Sequence, residues 1–183
     1  KAVLYVKTLS DPDYINNNYI VMCTEKGIVK KTLLELYSRP RQNGIIAISI
    51  NEGDNLLDVA LTNGDNFIVI AGQEGKAVRF HEAGIRPMGR GAAGVKGITL
   101  ENETKAIGMI CVSRLDTQLL VVSENGYGKR SDLEEFRVTS RGAKGVKSLQ
   151  VSDKTGKLVA IKEVTDEDDL MIITVNGIAI RMN

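Results

Sequence analysis

The sequence predicts an all-β chain of about 50-residue, four-stranded, propeller-like blades, three full ones and part of a fourth. Two periodic signals and a pervasive β pattern carry that prediction. The first signal is Arg90-Gly91-Ala92-Ala93-Gly94-Val95-Lys96-Gly97, which returns 51 positions later as Arg141-Gly142-Ala143-Lys144-Gly145-Val146-Lys147-Ser148. A degenerate copy, Arg41-Gln42-Asn43-Gly44-Ile45-Ile46, lies 49 positions earlier. The second signal is a glycine turn leading into an apolar-basic strand. Its copies are Glu25-Lys26-Gly27-Ile28-Val29-Lys30, Gln73-Glu74-Gly75-Lys76-Ala77-Val78-Arg79, Glu124-Asn125-Gly126-Tyr127-Gly128-Lys129 and Val175-Asn176-Gly177-Ile178-Ala179-Ile180-Arg181. Their glycines stand 48, 51 and 51 residues apart. The chain forms one domain, 1–183, with units of roughly 1–50, 51–100, 101–151 and an incomplete 152–183. It opens inside one apolar run (2–6) and stops just after another (178–182), so it reads as a piece of a larger array.

In chain order, short Val- and Ile-rich runs bounded by Gly, Asn and Asp predict strands near 2–6, 18–23, 27–32, 44–50, 56–61, 66–71 and 76–80. Further strands follow near 94–100, 105–112, 117–122, 127–131, 145–151, 157–164, 169–174 and 177–182. Glu74-Gly75, Asn125-Gly126 and Asn176-Gly177 have the chemistry of two-residue hairpin turns, which need positive φ. Asn63-Gly64 is a further turn of this kind. Thr32 to Tyr37 and Ser131 to Phe136 predict single helical turns, the second with a Ser131–Glu134 capping box. His81-Glu82-Ala83-Gly84 fills the same slot in the middle unit.

Composition removes several alternatives. Five Tyr, three Phe and no Trp exclude the Trp-Asp blades of the commonest propellers and an aromatic platform for single strands. The core must therefore be Ile, Val and Leu. Cys23 and Cys111 sit inside apolar runs, which suits small core residues in a reducing cytoplasm better than a disulfide framework. No basic leader precedes an apolar segment, and no apolar run is long enough to span a membrane.

The net charge of +1 conceals a pattern. Lys30, Lys31, Arg39 and Arg41 against Glu35 leave residues 30–49 at +3. Lys76, Arg79, Arg86, Arg90 and Lys96 against Glu82 leave 76–97 at +4. Lys129, Arg130, Arg137, Arg141, Lys144 and Lys147 against Asp132, Glu134 and Glu135 leave 129–148 at +3. The windows between them, 50–75, 98–128 and 149–180, carry −5, −2 and −3. Equivalent positions of an array share an edge, so this alternation predicts a basic edge, suited to a polyanion, and an acidic one.

Nucleotide motifs fail on context. Gly89-Arg90-Gly91-Ala92-Ala93-Gly94 is a literal G-x-G-x-x-G, but a β-like run follows where a dinucleotide site needs a helix. Gly142 to Ser148 is no P-loop, because Val146 separates Gly145 from Lys147. The glycines instead let the backbone approach phosphate while the flanking Arg and Lys supply charge. His81, the only histidine, reads as a polar turn residue, and Asp166-Glu167-Asp168-Asp169 as a hairpin tip on the acidic edge. No catalytic constellation, metal cluster or cofactor site stands out.

Arg79-Phe80-His81-Glu82, Ile85-Arg86-Pro87-Met88-Gly89-Arg90 and Gly94-Val95-Lys96-Gly97-Ile98 resemble the C-terminal domain of DNA gyrase A, in the type IIA topoisomerase family. So do Lys26-Gly27-Ile28-Val29-Lys30-Lys31-Thr32 and Asn43-Gly44-Ile45-Ile46-Ala47-Ile48. The resemblance covers essentially the whole chain. It implies a six-bladed β-pinwheel whose neighbouring blades exchange strands and whose basic rim wraps duplex DNA. It further implies work with the rest of gyrase A and with gyrase B in a bacterial, nucleoid-associated enzyme, where wrapping directs ATP-dependent negative supercoiling. The family's Gln-Arg-Arg-Gly-Gly-Lys-Gly box has no match. Ser38-Arg39-Pro40-Arg41-Gln42-Asn43-Gly44 is the nearest stretch, and the box is expected upstream. The related C-terminal domain of topoisomerase IV is the alternative within the family.

The expected contacts to duplex backbone are Lys30, Lys31, Arg39, Arg41, Lys76, Arg79, Arg86, Arg90, Lys96, Lys129, Arg130, Arg141, Lys144 and Lys147. A propeller-like scaffold docking an acidic protein on the same edge is the reading from a different class. Exposed end strands also suggest pairing between two copies of the chain.

Overall fold

The computed structural model describes residues 2–182, which form thirteen strands in four antiparallel sheets. In chain order these are β1 (Tyr19–Thr24), β2 (Ile28–Leu33), β3 (Leu56–Thr62), β4 (Phe67–Gly72), β5 (Lys76–His81), β6 (Val95–Lys96) and β7 (Ala106–Val112). They continue with β8 (Gln118–Ser123), β9 (Gly128–Asp132), β10 (Val146–Lys147), β11 (Leu158–Val164), β12 (Leu170–Ile173) and β13 (Ala179–Met182). The sheets run β3-β1-β2-β6, β10-β5-β4-β7, β11-β8-β9 and β12-β13. Blades therefore exchange strands. The short strand after each basic loop leaves its own unit and pairs with the preceding one, Val95 opposite Val29 and Val146 opposite Ala77.

The apolar run Phe67–Gly72 is continuous because β4 is covered on both faces. Ile68 and Ile70 join Val21, Val29, Phe80 and Ile98 in a core between the first and second sheets. Val69 and Ala71, one residue out of step, join Leu119, Val121, Leu133 and Phe136 between the second and third. Cys23 is buried in the first core and Cys111 packs against it, both as free thiols.

Four predicted strands shrink or vanish. Residues 94–100 and 145–151 are reduced to the two-residue β6 and β10, since only those positions reach the neighbouring sheet. Residues 44–50 form no strand, because the equivalent partner would belong to a preceding unit and none lies among the described residues. Residues 2–6 keep an alternating exposure but pair with no strand among the described residues, and Leu4 and Val6 pack on Ile20, Met22 and Leu34 instead.

The hairpin turns also differ from the two-residue form. In each of these turns only the glycine, Gly27, Gly75, Gly126 or Gly177, takes positive φ, and each donates its N–H three residues back, to Thr24, Gly72, Ser123 and Thr174. These are type I turns closed by a left-handed glycine, the three-residue loop with a bulge. Gly64 also takes positive φ, but its turn links β3 to β4 in different sheets. Asp166 to Asp169 likewise is no hairpin tip and joins β11 to β12 across sheets.

The three helical turns are 3-10 turns, Leu34–Tyr37, Glu82–Gly84 and Leu133–Glu135. The Ser131–Glu134 capping box does not form. Ser131 is still paired within β9, and Asp132 stands at the N-cap without a side-chain bond. One helix went unpredicted, Pro12–Asn16, where Asp11 caps Asp13 N–H and proline opens the first turn.

Candidate nucleic-acid interface

The repeated Arg-Gly-Ala stretch is a connector between units, and three of its bonds recur in both copies. Ser49 donates its N–H to Ala92 O at 3.3 Å and its hydroxyl to Gly91 O at 2.8 Å. Fifty residues on, Thr99 makes the same pair of bonds to Ala143 O (3.0 Å) and Gly142 O (2.7 Å). Arg90 Nη1 donates to Ile46 O at 3.2 Å, and Arg141 Nη1 to Lys96 O at 3.4 Å. Arg141 Nε also reaches Gly84 O at 3.1 Å. Each arginine thus spends one or two of its five donors on a neighbouring backbone and keeps the rest.

The glycine that precedes the Val-Lys pair of the motif has a mechanical reason. A Cβ on Gly145 (φ +80°) would stand 2.3 Å from Ala77 O, and one on Gly94 (φ +110°) 2.6 Å from Val29 O. Only glycine lets the exchanged strand lie this close. Gly145→Ala is expected to cost about 2 kcal/mol or more through left-handed strain and the backbone clash. That lowers the melting temperature by roughly 4–8 °C in calorimetry. An unchanged melting temperature would mean the exchanged strand is dispensable.

The sequence-predicted cations divide into two groups. Lys30, Lys31 and Arg79 are buried and turned inward, so these three do not present a charge to a phosphate. Lys31 Nζ donates to Glu82 O (2.8 Å), pairs with Glu82 Oε2 (3.4 Å) and lies over the Tyr19 ring. Arg79 Nη1 donates to Leu133 O and Phe136 O and stacks on Phe67. Both cations therefore hold the 3-10 turn of the following unit, a use that composition alone cannot separate from surface charge. Arg39, Arg41, Arg86, Lys96, Lys129, Arg130, Arg141, Lys144 and Lys147 are exposed, and Lys76 and Arg90 half-buried.

Four stretches of the chain, residues 18–63, 66–113, 117–165 and 168–183, match a family model described as DNA gyrase C-terminal domain, beta-propeller. The chain belongs to this family. The DNA gyrase A protein of Staphylococcus aureus (strain MRSA252) is 41% identical over all 183 residues, which span 20% of that relative's length. Among solved structures, the C-terminal domain of a DNA topoisomerase IV superposes with a TM-score of 0.87 at 25% identity, covering 97% of this chain and 54% of that one. A DNA gyrase A C-terminal domain superposes at 0.80 with 26% identity, covering 91% and 55%. The gyrase-type β-pinwheel is thus the fold of this chain.

The basic and acidic edges of this gyrase-type domain are not cleanly separated. Glu101, from an acidic window, pairs with both Lys76 and Lys144 at 2.9 Å. Those two bonds, Lys76's first, hold its carboxyl down at about 2. The two pairs therefore persist through the ordinary carboxylate range and are lost only as pH falls toward 2. Lys129 pairs with Glu135 at 3.3 Å, and Arg130 with Gln118 and Asp166. Arg39, Arg41, Arg86, Arg90, Lys96, Arg141 and Lys147 make no ion pair among the described residues, and they form the most available positive surface.

Sequence reasoning missed Glu82 and the Ser49/Thr99 seam. Glu82 looked like a lone negative charge in a basic window, while the 50-residue spacing of Ser49 and Thr99 was legible. His81 is the turn residue expected. Its Nδ1 accepts Ala83 N–H at 3.2 Å and its Nε2 faces Asp65 at 3.1 Å. Burial first, then nearby carboxylates, push the Cys23 thiol well up and Cys111 to about 12, so neither offers a thiolate. Among the described residues no group of His, Cys, Asp and Glu is placed to hold a metal, and no helix is long and apolar enough to cross a membrane.

Proposed function

We propose that this domain binds and bends duplex DNA along the rim carrying Arg39, Arg41, Arg86, Arg90, Lys96, Arg141 and Lys147. The observation that carries the reading is the equivalence of Arg90 and Arg141, each tied to the preceding unit at the same relative carbonyl with donors to spare. A rim whose cations recur with the blades meets a polyanion in register. Contacts of this type go to backbone, so sequence enters through deformability. Bending a 20–30 bp site costs on the order of 1–6 kcal/mol, which several phosphate contacts together offset. In the parent enzyme, alongside the rest of gyrase A and gyrase B in the bacterial cytoplasm, such a wrap gives ATP-dependent supercoiling its direction. The domain itself needs no cofactor for this.

The test is topological. The domain is incubated with nicked circular plasmid, the nick is sealed, and linking number is read after protein removal. A linking shift that grows with protein is expected, together with affinity falling roughly a thousandfold between 50 and 200 mM salt if six phosphates are neutralised. Affinity that ignores salt would overturn the reading.

A further inference from the structure

The repeat does not fix the residue type at position 30. The residue three places after the turn glycine is Lys30 in the first unit, Val78 in the second and Lys129 in the third. Val78 is a core residue, and Lys129 is exposed beside Glu135. Lys30 is fully buried, yet it is charged chemistry in the place of a valine. Its Nζ donates to Ala47 O at 2.6 Å and to the carbonyl of Arg90. Ala47 lies in the loop that carries Arg39 and Arg41, and Arg90 in the equivalent loop of the next unit. Around this ammonium the two loops are cross-linked further, by Arg90 Nη1 on Ile46 O and by Ser49 on Gly91 and Ala92. Tyr37 donates its hydroxyl to the same Ala47 carbonyl at 2.8 Å.

A buried ammonium is costly to desolvate unless it is well paired. Lys30 has two carbonyls and no carboxylate among the described residues. The charged group facing it is Arg90, of like sign, and burial together with that charge brings its pKa down to about 8. Val78 shows that the blade itself does not require a cation here. The charge therefore serves the contact between loops.

Accepting that the rim holds DNA, we propose that Lys30 is a positioning residue that locks the Arg39–Arg41 loop against Arg90, holding cations of two successive units at one fixed spacing for duplex phosphates. The second seam has Val78 at the equivalent position and closes at the equivalent carbonyl, Gly97 O, through the Gly142 N–H at 2.7 Å, so the two steps of the rim are held by different bonds.

The test is Lys30→Val, which copies the second unit and should keep the fold. Amide hydrogen exchange reads the seam without DNA. Ser49, which bonds Ala92 across the first seam, is expected to exchange about tenfold faster, while Thr99, its equivalent at the second seam, keeps its rate. Affinity for a long duplex should fall about tenfold while a short duplex that reaches one loop binds as before. Unchanged Ser49 exchange, or Ser49 and Thr99 accelerating together, would overturn the lock. Faster Ser49 exchange with unaltered long-duplex affinity would overturn its role in positioning. Failure of the unsubstituted chain to bind duplex, seen before the variant is made, would overturn the DNA reading and this inference with it.

Discussion

Glu82→Leu is expected to destabilise the domain by about 3–5 kcal/mol, the cost of breaking a buried ion pair from one side. Glu82 is fully buried, and three groups converge on its carboxylate. Lys31 Nζ stands 3.4 Å from Oε2, the Thr62 hydroxyl donates to Oε2 at 2.8 Å, and Asn66 N–H donates to Oε1 at 2.8 Å. Lys31 and Thr62 belong to the first sheet, so one side chain closes the joint between two blades. Leucine leaves a hydroxyl and an amide buried without their acceptor, and a buried ammonium with a carbonyl but no counter-charge. In urea the midpoint should fall by about 1–2 M if the slope is near the top of the usual 1–3 kcal/mol/M range. Lys31→Met combined with Glu82→Leu should be milder than Glu82→Leu alone, because no unpaired charge remains inside. A double variant as unstable as the sum of its singles would show that the two residues do not act as a pair.

Arg90→Glu with Arg141→Glu is expected to weaken duplex binding on the order of a hundredfold, taking about 1.5 kcal/mol for each charge-assisted hydrogen bond to phosphate. The log–log salt slope should become shallower by about 2, one unit for each phosphate no longer neutralised. Weakening should be the same for every sequence, since these arginines would touch backbone. Arg90 gives up one backbone bond in the substitution and Arg141 two, so melting temperature is the companion measurement. Weaker binding with an unchanged salt slope would mean that the loops had moved while the phosphates stayed neutralised. Weakening confined to one sequence would contradict backbone recognition altogether.

The periodic features were the most legible. The turn glycines 48, 51 and 51 residues apart correctly marked each hairpin, because positive φ is a local demand that glycine meets whatever surrounds it. The Arg-Gly-Ala repeat likewise marked the connectors between units. Length of strand was less legible at 94–100 and 145–151, where β-prone residues run on but a partner exists for only two. Propensity describes one chain segment, while a strand is a property of two.

The division of the cations shows the same limit at the candidate site. Lys30, Lys31 and Arg79 read like their neighbours in a basic window, yet they are buried among carbonyls and a carboxylate contributed from 17 to 60 residues away. Lys144 and Lys76 read as free charges, yet Glu101 holds both. Sequence by itself determined the repeat, the all-β class, the turns and the family, because each rests on local backbone preference or on spacing along the chain. Tertiary structure alone decided which strands cross between blades and which cations face water. Those outcomes depend on what the neighbouring unit places within about 3 Å, and hydrogen bonds and ion pairs are fixed by that distance rather than by separation in sequence.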